Sequence, residues 1–281
     1  MSNHGEAVGS QESHGNNGHK ASPLPTPRGQ DRTNILGVGI SEINPQIALD
    51  KIREWVAADR REYVCVCTVH TIIECQKSDR LRRIVNASGM STPDGMPLVW
   101  LARLGGKRHV TRVYGPDLML AAIQQLPSHY GHFLYGGHAG VAERLAKSLK
   151  SRFAGVKVVG TYSPPMGSVE ELATDQLAEV INSSRPAVVW VGISTPKQDM
   201  WMAQMRTRLN APVLIGVGAA FDFHSGMVRQ APGWMQRSGL EWLFRLSQEP
   251  RRLWKRYLFY NTWFVFAVAR QKLGLKRYEL T

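Results

Sequence analysis

With 281 residues, 43% of them hydrophobic and 20% charged, the chain has ordinary globular composition, which excludes a fibre, a collagen or a disulfide scaffold. Its 35 Lys and Arg outweigh 22 Asp and Glu by 13 charges, and positions 229–281 hold 11 basic and three acidic residues, a local excess of 8, together with 11 of the 24 aromatics. That composition suits a membrane interface or a polyanion, and the length suits one large domain or one domain with appendages.

Residues 1–33 are rich in Gly, Ser, Asn, His and Pro and lack an apolar core segment. They read as a disordered tail, neither signal peptide nor membrane anchor. Ile35–Ile40 reads as a short strand, and Asn44-Pro45 opens a helical pattern that runs to Val56. Tyr63–Thr68 is a β-rich run whose carboxyl end presents Thr68 and His70, followed by helical spacing over Ile72–Ala87. Cys65, Cys67 and Cys75 are odd in number and lack CxxC spacing, so they support neither a disulfide framework nor a zinc site, and a reducing cytoplasm is the expected compartment. Ser91–Pro97 reads as a turn about Pro93-Asp94-Gly95 with a helix from Leu98, and on spacing alone Asp94 is a turn or N-cap aspartate. Arg112–Asp117 is a second turn, with Asp117 as the N-cap of a helix from Leu118 and Arg112 as a surface residue or an anion binder.

His132–Tyr135 runs as a strand into Gly136-Gly137-His138-Ala139-Gly140 and a helix over Val141–Phe153. Glycines at a strand-to-helix turn admit a phosphate to the backbone N–H groups, or simply make a tight turn. Val156–Tyr162 is a strand, Val169–Asn182 a helix, and Ala187–Ile193 and Val213–Val217 are buried strands that end near Gly192 and at Gly216-Val217-Gly218. This alternation predicts an α/β, Rossmann-like, largely parallel sheet with flanking helices, and a nucleotide gathered at the carboxyl ends of the strands. The expected division is an α/β domain over 34–238 and a basic, aromatic helical appendage over 239–281. Within the appendage a helix runs from Pro250 to Lys272. Its most apolar run, Leu258–Ala269, is about 12 residues where a span needs about 20, so it suits lying on a bilayer and not crossing one. No HExxH, CxxC or Asp-x-Asp occurs. No metal site is expected, and Arg, Lys and backbone donors must then neutralise any leaving diphosphate.

Thr68-x-His70, Thr92-Pro-Asp94-Gly95-Met-Pro, Arg112-Val-Tyr-Gly115-Pro-Asp117, Gly136-Gly137, Pro196-Lys197-Gln198-Asp199, Gly216-Val-Gly218 with Phe221-Asp222, Arg229-Gln-Ala231-Pro232, and Gly239-Leu-Glu241-Trp242 with Arg245 and Glu249-Pro250 occur in this order. In this set of motifs the chain resembles the WecG/TagA/CpsF glycosyltransferases (glycosyltransferase family 26). The resemblance implies inverting, metal-independent transfer of a hexose-type sugar from a UDP-sugar to a polyprenyl-diphosphate-linked sugar, in surface polysaccharide synthesis at the cytoplasmic membrane face. N-acetylmannosamine, its uronic acid and glucose are the candidate sugars.

The resemblance places the catalytic base at Asp94, and Thr68, Arg112, Gly136, Gly137 and Gln198 around the donor sugar and diphosphate. It puts Asp222 on the nucleotide side, where the strand ends also place Gly192, Lys197, Gly216 and Gly218, and Arg245, Arg252 and Lys255 on an appendage that closes over the site. Reaction is then expected in a cleft between the two halves of the sheet. No cofactor is implied beyond the UDP-sugar. The expected partners are that donor, the lipid-linked acceptor and an anionic membrane surface, with room for a homo-oligomer and no nucleic acid. Asp199 stands where Glu is usual and Thr111 where Glu is frequent, and His70, near Thr68, stands where Asn is common, which leaves the donor sugar open. The competing readings are a basic nucleic-acid-binding or nucleotide-sensing protein without transferase activity, and a Rossmann oxidoreductase, for which Gly216-Val-Gly218-Ala-Ala-Phe221 lacks the third glycine.

Overall fold

The computed structural model describes residues 31–280, except the side chains of Arg252, Lys255 and Arg256. Residues 1–30 of the expected tail lie outside the described residues. The tail reading extends two residues too far, because Arg32 and Thr33 belong to the first strand.

Six parallel strands form the central sheet in the order β4-β3-β8-β7-β5-β6. They are β3 (Glu62–Cys67), β4 (Met90–Pro93), β5 (Gly131–Gly136), β6 (Lys157–Tyr162), β7 (Val188–Gly192) and β8 (Val213–Gly216). β3, β7 and β8 are almost uniformly apolar, as strands covered on both faces must be. The helices that cover them are α1 (Pro45–Ala57), α2 (Val69–Lys77), α3 (Asp79–Ala87), α4 (Met96–Leu104), α5 (Gly115–Gln125), α6 (Val141–Arg152), α7 (Val169–Leu172), α8 (Asp175–Ser183), α9 (Lys197–Met205) and α10 (Ala220–His224). One core, built on Cys65, Ile72, Leu81, Leu177, Trp201 and Met205, lies under α2, α3, α8 and α9. The other, built on Val64, Ile52, Met119, Leu145, Trp190 and Phe221, lies under α1, α5, α6 and α10. The expected α/β, Rossmann-like parallel sheet is therefore present.

Neighbouring strands β3 and β8 send their chains to opposite faces, β3 into α2 and β8 into α10. A crevice opens at the carboxyl ends of two such strands, which is where an α/β sheet collects its ligand.

Four sequence readings change. Ile35–Ile40 is not one strand but the centre of an antiparallel hairpin, β1 (Arg32–Ile35) and β2 (Val38–Ser41). Leu36 and Gly37 both take positive φ, 52° and 81°, at its two-residue turn. Ile72–Ala87 is two helices, because Ser78 is extended and its hydroxyl caps the second by accepting from Leu81 N–H. Val169–Asn182 is likewise broken, with Thr174 capping α8 through Leu177 N–H. Most consequential, Met90–Pro93 is a fully buried edge strand where a turn is expected. Its Ser, Thr and Pro carry turn chemistry, but pairing with β3 over Val64–Cys67 overrides it.

After β8 the chain forms α11 (Gly233–Arg237), α12 (Glu241–Gln248) and α13 (Pro250–Lys272), the last as expected. α13 docks on the body through one face: Leu253, Phe264 and Ala267 are buried. Tyr260 donates to Glu74 Oε1 at 2.8 Å, and Gln271 bridges Leu36 N–H and Asn34 C=O of the hairpin turn. Its other face leaves Leu258, Phe259, Val265 and Phe266 exposed by 58–67%.

Candidate active site

The register of β3 against β4 pairs Cys67 with Pro93, so Thr68 and Asp94 leave the sheet side by side. Asp94 N–H and Gly95 N–H both reach Cys67 C=O, at 2.9 and 3.3 Å, which pins the turn to the end of β3. Gly95, not Asp94, is the N-cap of α4, and no side chain caps that helix. The simple N-cap reading of Asp94 is thereby overturned: its carboxylate is not spent on helix N–H groups.

That carboxylate meets Arg112 instead. Val113 N–H bonds to Pro93 C=O at 3.0 Å and lays the segment before α5 along the end of β4. Arg112 then places Nη2 3.1 Å and Nε 3.3 Å from Asp94 Oδ1, with Nε also 2.5 Å from the Asp94 carbonyl. Its guanidinium lies 4.0 Å over the Tyr114 ring. The same Nη2 donates to Glu241 Oε2 at 2.5 Å, and Tyr114 Oη donates to Glu241 Oε1 at 3.0 Å. Burial pushes the Asp94 carboxyl up to about 7, while Arg112 pulls it down, Glu241 pushes it up and Arg245 pulls it down. A carboxyl balanced near neutrality at the carboxyl end of a sheet strand is suited to taking a proton from a hydroxyl.

The other sequence candidates fall along the same edge of the sheet. Gln198, 2% exposed on α9, accepts Gly218 N–H at 3.1 Å and reaches Thr195 Oγ1 at 3.3 Å, so it braces the loop after β8. Gly216 leaves room for it, since a Cβ there would sit 2.9 Å from Gln198 Nε2. Asp222 is half-buried on α10, just beyond that loop. Gly136 and Gly192 end the adjacent strands β5 and β7. Gly136 has φ 145°, and a Cβ on it would come within 2.6 Å of the Gly192 backbone. Packing alone therefore requires glycine at Gly136. Gly137 follows it at the β5 end. Lys197 Nζ is turned to Gly167 C=O at 2.5 Å. Arg245, on α12, lies over the Phe223 ring at 5.9 Å and within electrostatic reach of Asp94. The side chains of Arg252 and Lys255 lie outside the described residues.

Three placements differ from the sequence reading or go beyond it. Asp117 is not the N-cap of α5; Tyr114 is, and Asp117 sits in the first turn with burial raising its carboxyl. His70 stacks on Tyr260 of α13, centroids 5.5 Å apart, and so takes part in seating that helix. Glu241 and Tyr114 meet at Arg112 across 127 to 129 positions of sequence, which no local pattern could signal. Among the described residues no group of three or more His, Cys, Asp or Glu is placed to hold a metal ion.

Residues 33–278 match the Glycosyl transferase WecG/TagA/CpsF family. The chain belongs to that family. Two relatives carry the name N-acetylglucosaminyldiphosphoundecaprenol N-acetyl-beta-D-mannosaminyltransferase. The one from Bacillus subtilis (strain 168) is 30% identical over 226 residues, 79% of this chain and 76% of the relative. The one from Bacillus spizizenii is 30% identical over 186 residues, 66% of this chain and 70% of the relative. As a member of the WecG/TagA/CpsF family the chain is a glycosyltransferase.

Proposed function

We propose that this glycosyltransferase moves a hexose-type sugar from a UDP-sugar to a polyprenyl-diphosphate-linked sugar, with inversion, and that Asp94 is the base. The relatives' names favour N-acetylmannosamine as the sugar and an N-acetylglucosaminyl-diphosphate lipid as the acceptor. The observation that carries the reading is the Asp94 carboxyl, excluded from helix capping and held near pH 7 at the end of an edge strand.

In a single displacement the acceptor hydroxyl attacks the anomeric carbon as the bond to the diphosphate breaks, so the hydroxyl proton needs one acceptor. Asp94 takes that proton. The diphosphate leaves with its charge and needs cationic or N–H partners, and Arg245, within electrostatic reach of Asp94, is suited to that work. Gln198 holds the loop after β8 in place, and Asp222 is suited to accept hydrogen bonds from the nucleoside.

No described helix is long and apolar enough to cross a membrane. We place the enzyme on an anionic membrane surface through the outward face of α13, where Leu258, Phe259, Val265 and Phe266 are exposed on a helix whose sequence is basic towards both ends. A lipid-linked acceptor would be met there.

The test is direct. Purified protein on anionic vesicles is given an N-acetylglucosaminyl-diphosphate polyprenol and, one at a time, UDP-N-acetylmannosamine, its uronic acid and UDP-glucose, with product mass as the readout. Addition of one sugar to the lipid supports the reading; no addition from any donor refutes it.

A further inference from the structure

Glu241 has no part in the transfer scheme above, yet its side chain is only 15% exposed and both carboxylate oxygens are occupied, by Tyr114 Oη and by Arg112 Nη2. A carboxylate placed this deep needs partners that repay its lost hydration, and one of these partners is shared with the base. Arg112 Nη2 serves Glu241 and Asp94 together, Nε serves the Asp94 carbonyl and Oδ1, and Nη1 points to Gln236 C=O at 3.4 Å. Both guanidinium contacts with the Asp94 carboxylate therefore converge on Oδ1. The usual arginine–carboxylate pair is a fork that engages both oxygens. Here Glu241 draws Nη2 aside, and that fork does not form on Asp94.

We propose that Glu241 is a positioning residue for the base: seated at the start of α12, it holds Arg112 off Asp94 Oδ2 and leaves that oxygen to the acceptor hydroxyl. The proposal rests on Asp94 being the base. The charged and titratable groups that bear on Asp94 are Arg112 and Tyr114 from the segment before α5, Glu241 and Arg245 from α12, and Cys67 from the end of β3, with Tyr114 also donating to Glu241. Burial raises the Asp94 carboxyl most, and Glu241 adds to that rise against both arginines. Removing the Glu241 charge has two effects of one sign: a repelling anion disappears, and Arg112 turns wholly to Asp94. The carboxyl then ionises at lower pH and becomes a weaker base.

The experiment uses the full chain labelled with 13C at aspartate carboxyls, with Asp94 assigned through Asp94→Asn, and follows its titration beside kcat/KM for sugar transfer. In Glu241→Gln the Asp94 titration and the acid limb of kcat/KM are expected to move together to lower pH by about one pH unit. In the same variant kcat falls about tenfold with KM nearly unchanged. Glu241→Asp, which keeps the charge, restores the wild-type profile. A folded Glu241→Gln with Asp94 titrating as in the wild type overturns the proposal, and so does an equal shift in Glu241→Asp. If Glu241→Gln does not fold, Tyr114→Phe loosens Glu241 without removing it and carries a smaller shift in the same direction; an unmoved titration there overturns the proposal too. The titration is read without substrate, so a failure to transfer any sugar counts against the proposed function and leaves this inference standing on its own result.

Discussion

Asp94→Asn separates activity from stability. The change keeps the shape of the side chain and removes both the charge and the ability to take a proton. As loss of a general base, it lowers kcat/KM by roughly 100-fold to 10,000-fold, which is about 3 to 5 kcal/mol of barrier. Its effect on stability has the opposite character. Asp94 is 8% exposed, and its carboxyl rises from an ordinary 3.8 to about 7 in the folded chain. The folded state therefore binds this proton more tightly than the unfolded state, and stability falls as pH rises from about 4 to about 7. That climb corresponds to at most roughly 4 kcal/mol of cost in carrying the anion at pH 8. Asparagine removes this cost and gives up one partner of Arg112, which keeps Glu241. The variant is expected to be nearly inactive yet to melt no lower than the wild type at pH 8, and its advantage should vanish near pH 4. Wild-type kcat/KM should rise about tenfold per pH unit below pH 7 and level off above it. Thermal melts at the two pH values and initial rates of lipid-linked product formation measure both sides. Near-normal turnover in the variant, or a large drop in its melting temperature at pH 8, would refute the reasoning.

Three further outcomes are expected. If Arg245 neutralises the leaving diphosphate as proposed, EDTA leaves transfer intact; a strict need for a divalent cation in initial-rate assays contradicts that proposal. Phe259→Asp with Phe266→Asp, at sites 62% and 61% exposed, abolishes co-sedimentation with anionic vesicles while the melting temperature stays within a few degrees; undiminished sedimentation removes α13 as the membrane face. Gly136→Ala destabilises the chain by roughly 1–3 kcal/mol in denaturant unfolding, because φ 145° is strained for alanine and the added carbon would meet the Gly192 backbone; an unchanged midpoint shows that the β5–β7 end yields more easily than this contact implies.

The parallel sheet was legible because its strands are continuous apolar runs that alternate with helical spacing, a pattern that burial on two faces imposes locally. The helix from Pro250 was legible for the same kind of reason, with proline at its first turn and glutamate before it. The motif series pointed to the family from letters alone, and it named Asp94. Where the reading failed, the local chemistry was truthful but outvoted. Met90–Pro93 has the composition of a turn, yet pairing with β3 makes it a strand, and that pairing decides where Asp94 stands. Ile35–Ile40 has the composition of a strand, yet it holds the hairpin turn.

Sequence by itself thus determined the layers, the parallel alternation, the concentration of charge and aromatics after residue 229, and the set of candidate residues, since each depends on composition or on neighbours within a few positions. The tertiary structure alone decided that Asp94 is spared from capping, that Arg112 is divided between Asp94 and Glu241, and that His70 serves the docking of α13. Those facts arise from contacts between residues 18 to 190 positions apart. The state of a buried carboxyl follows from the charges folded around it, not from its neighbours along the chain.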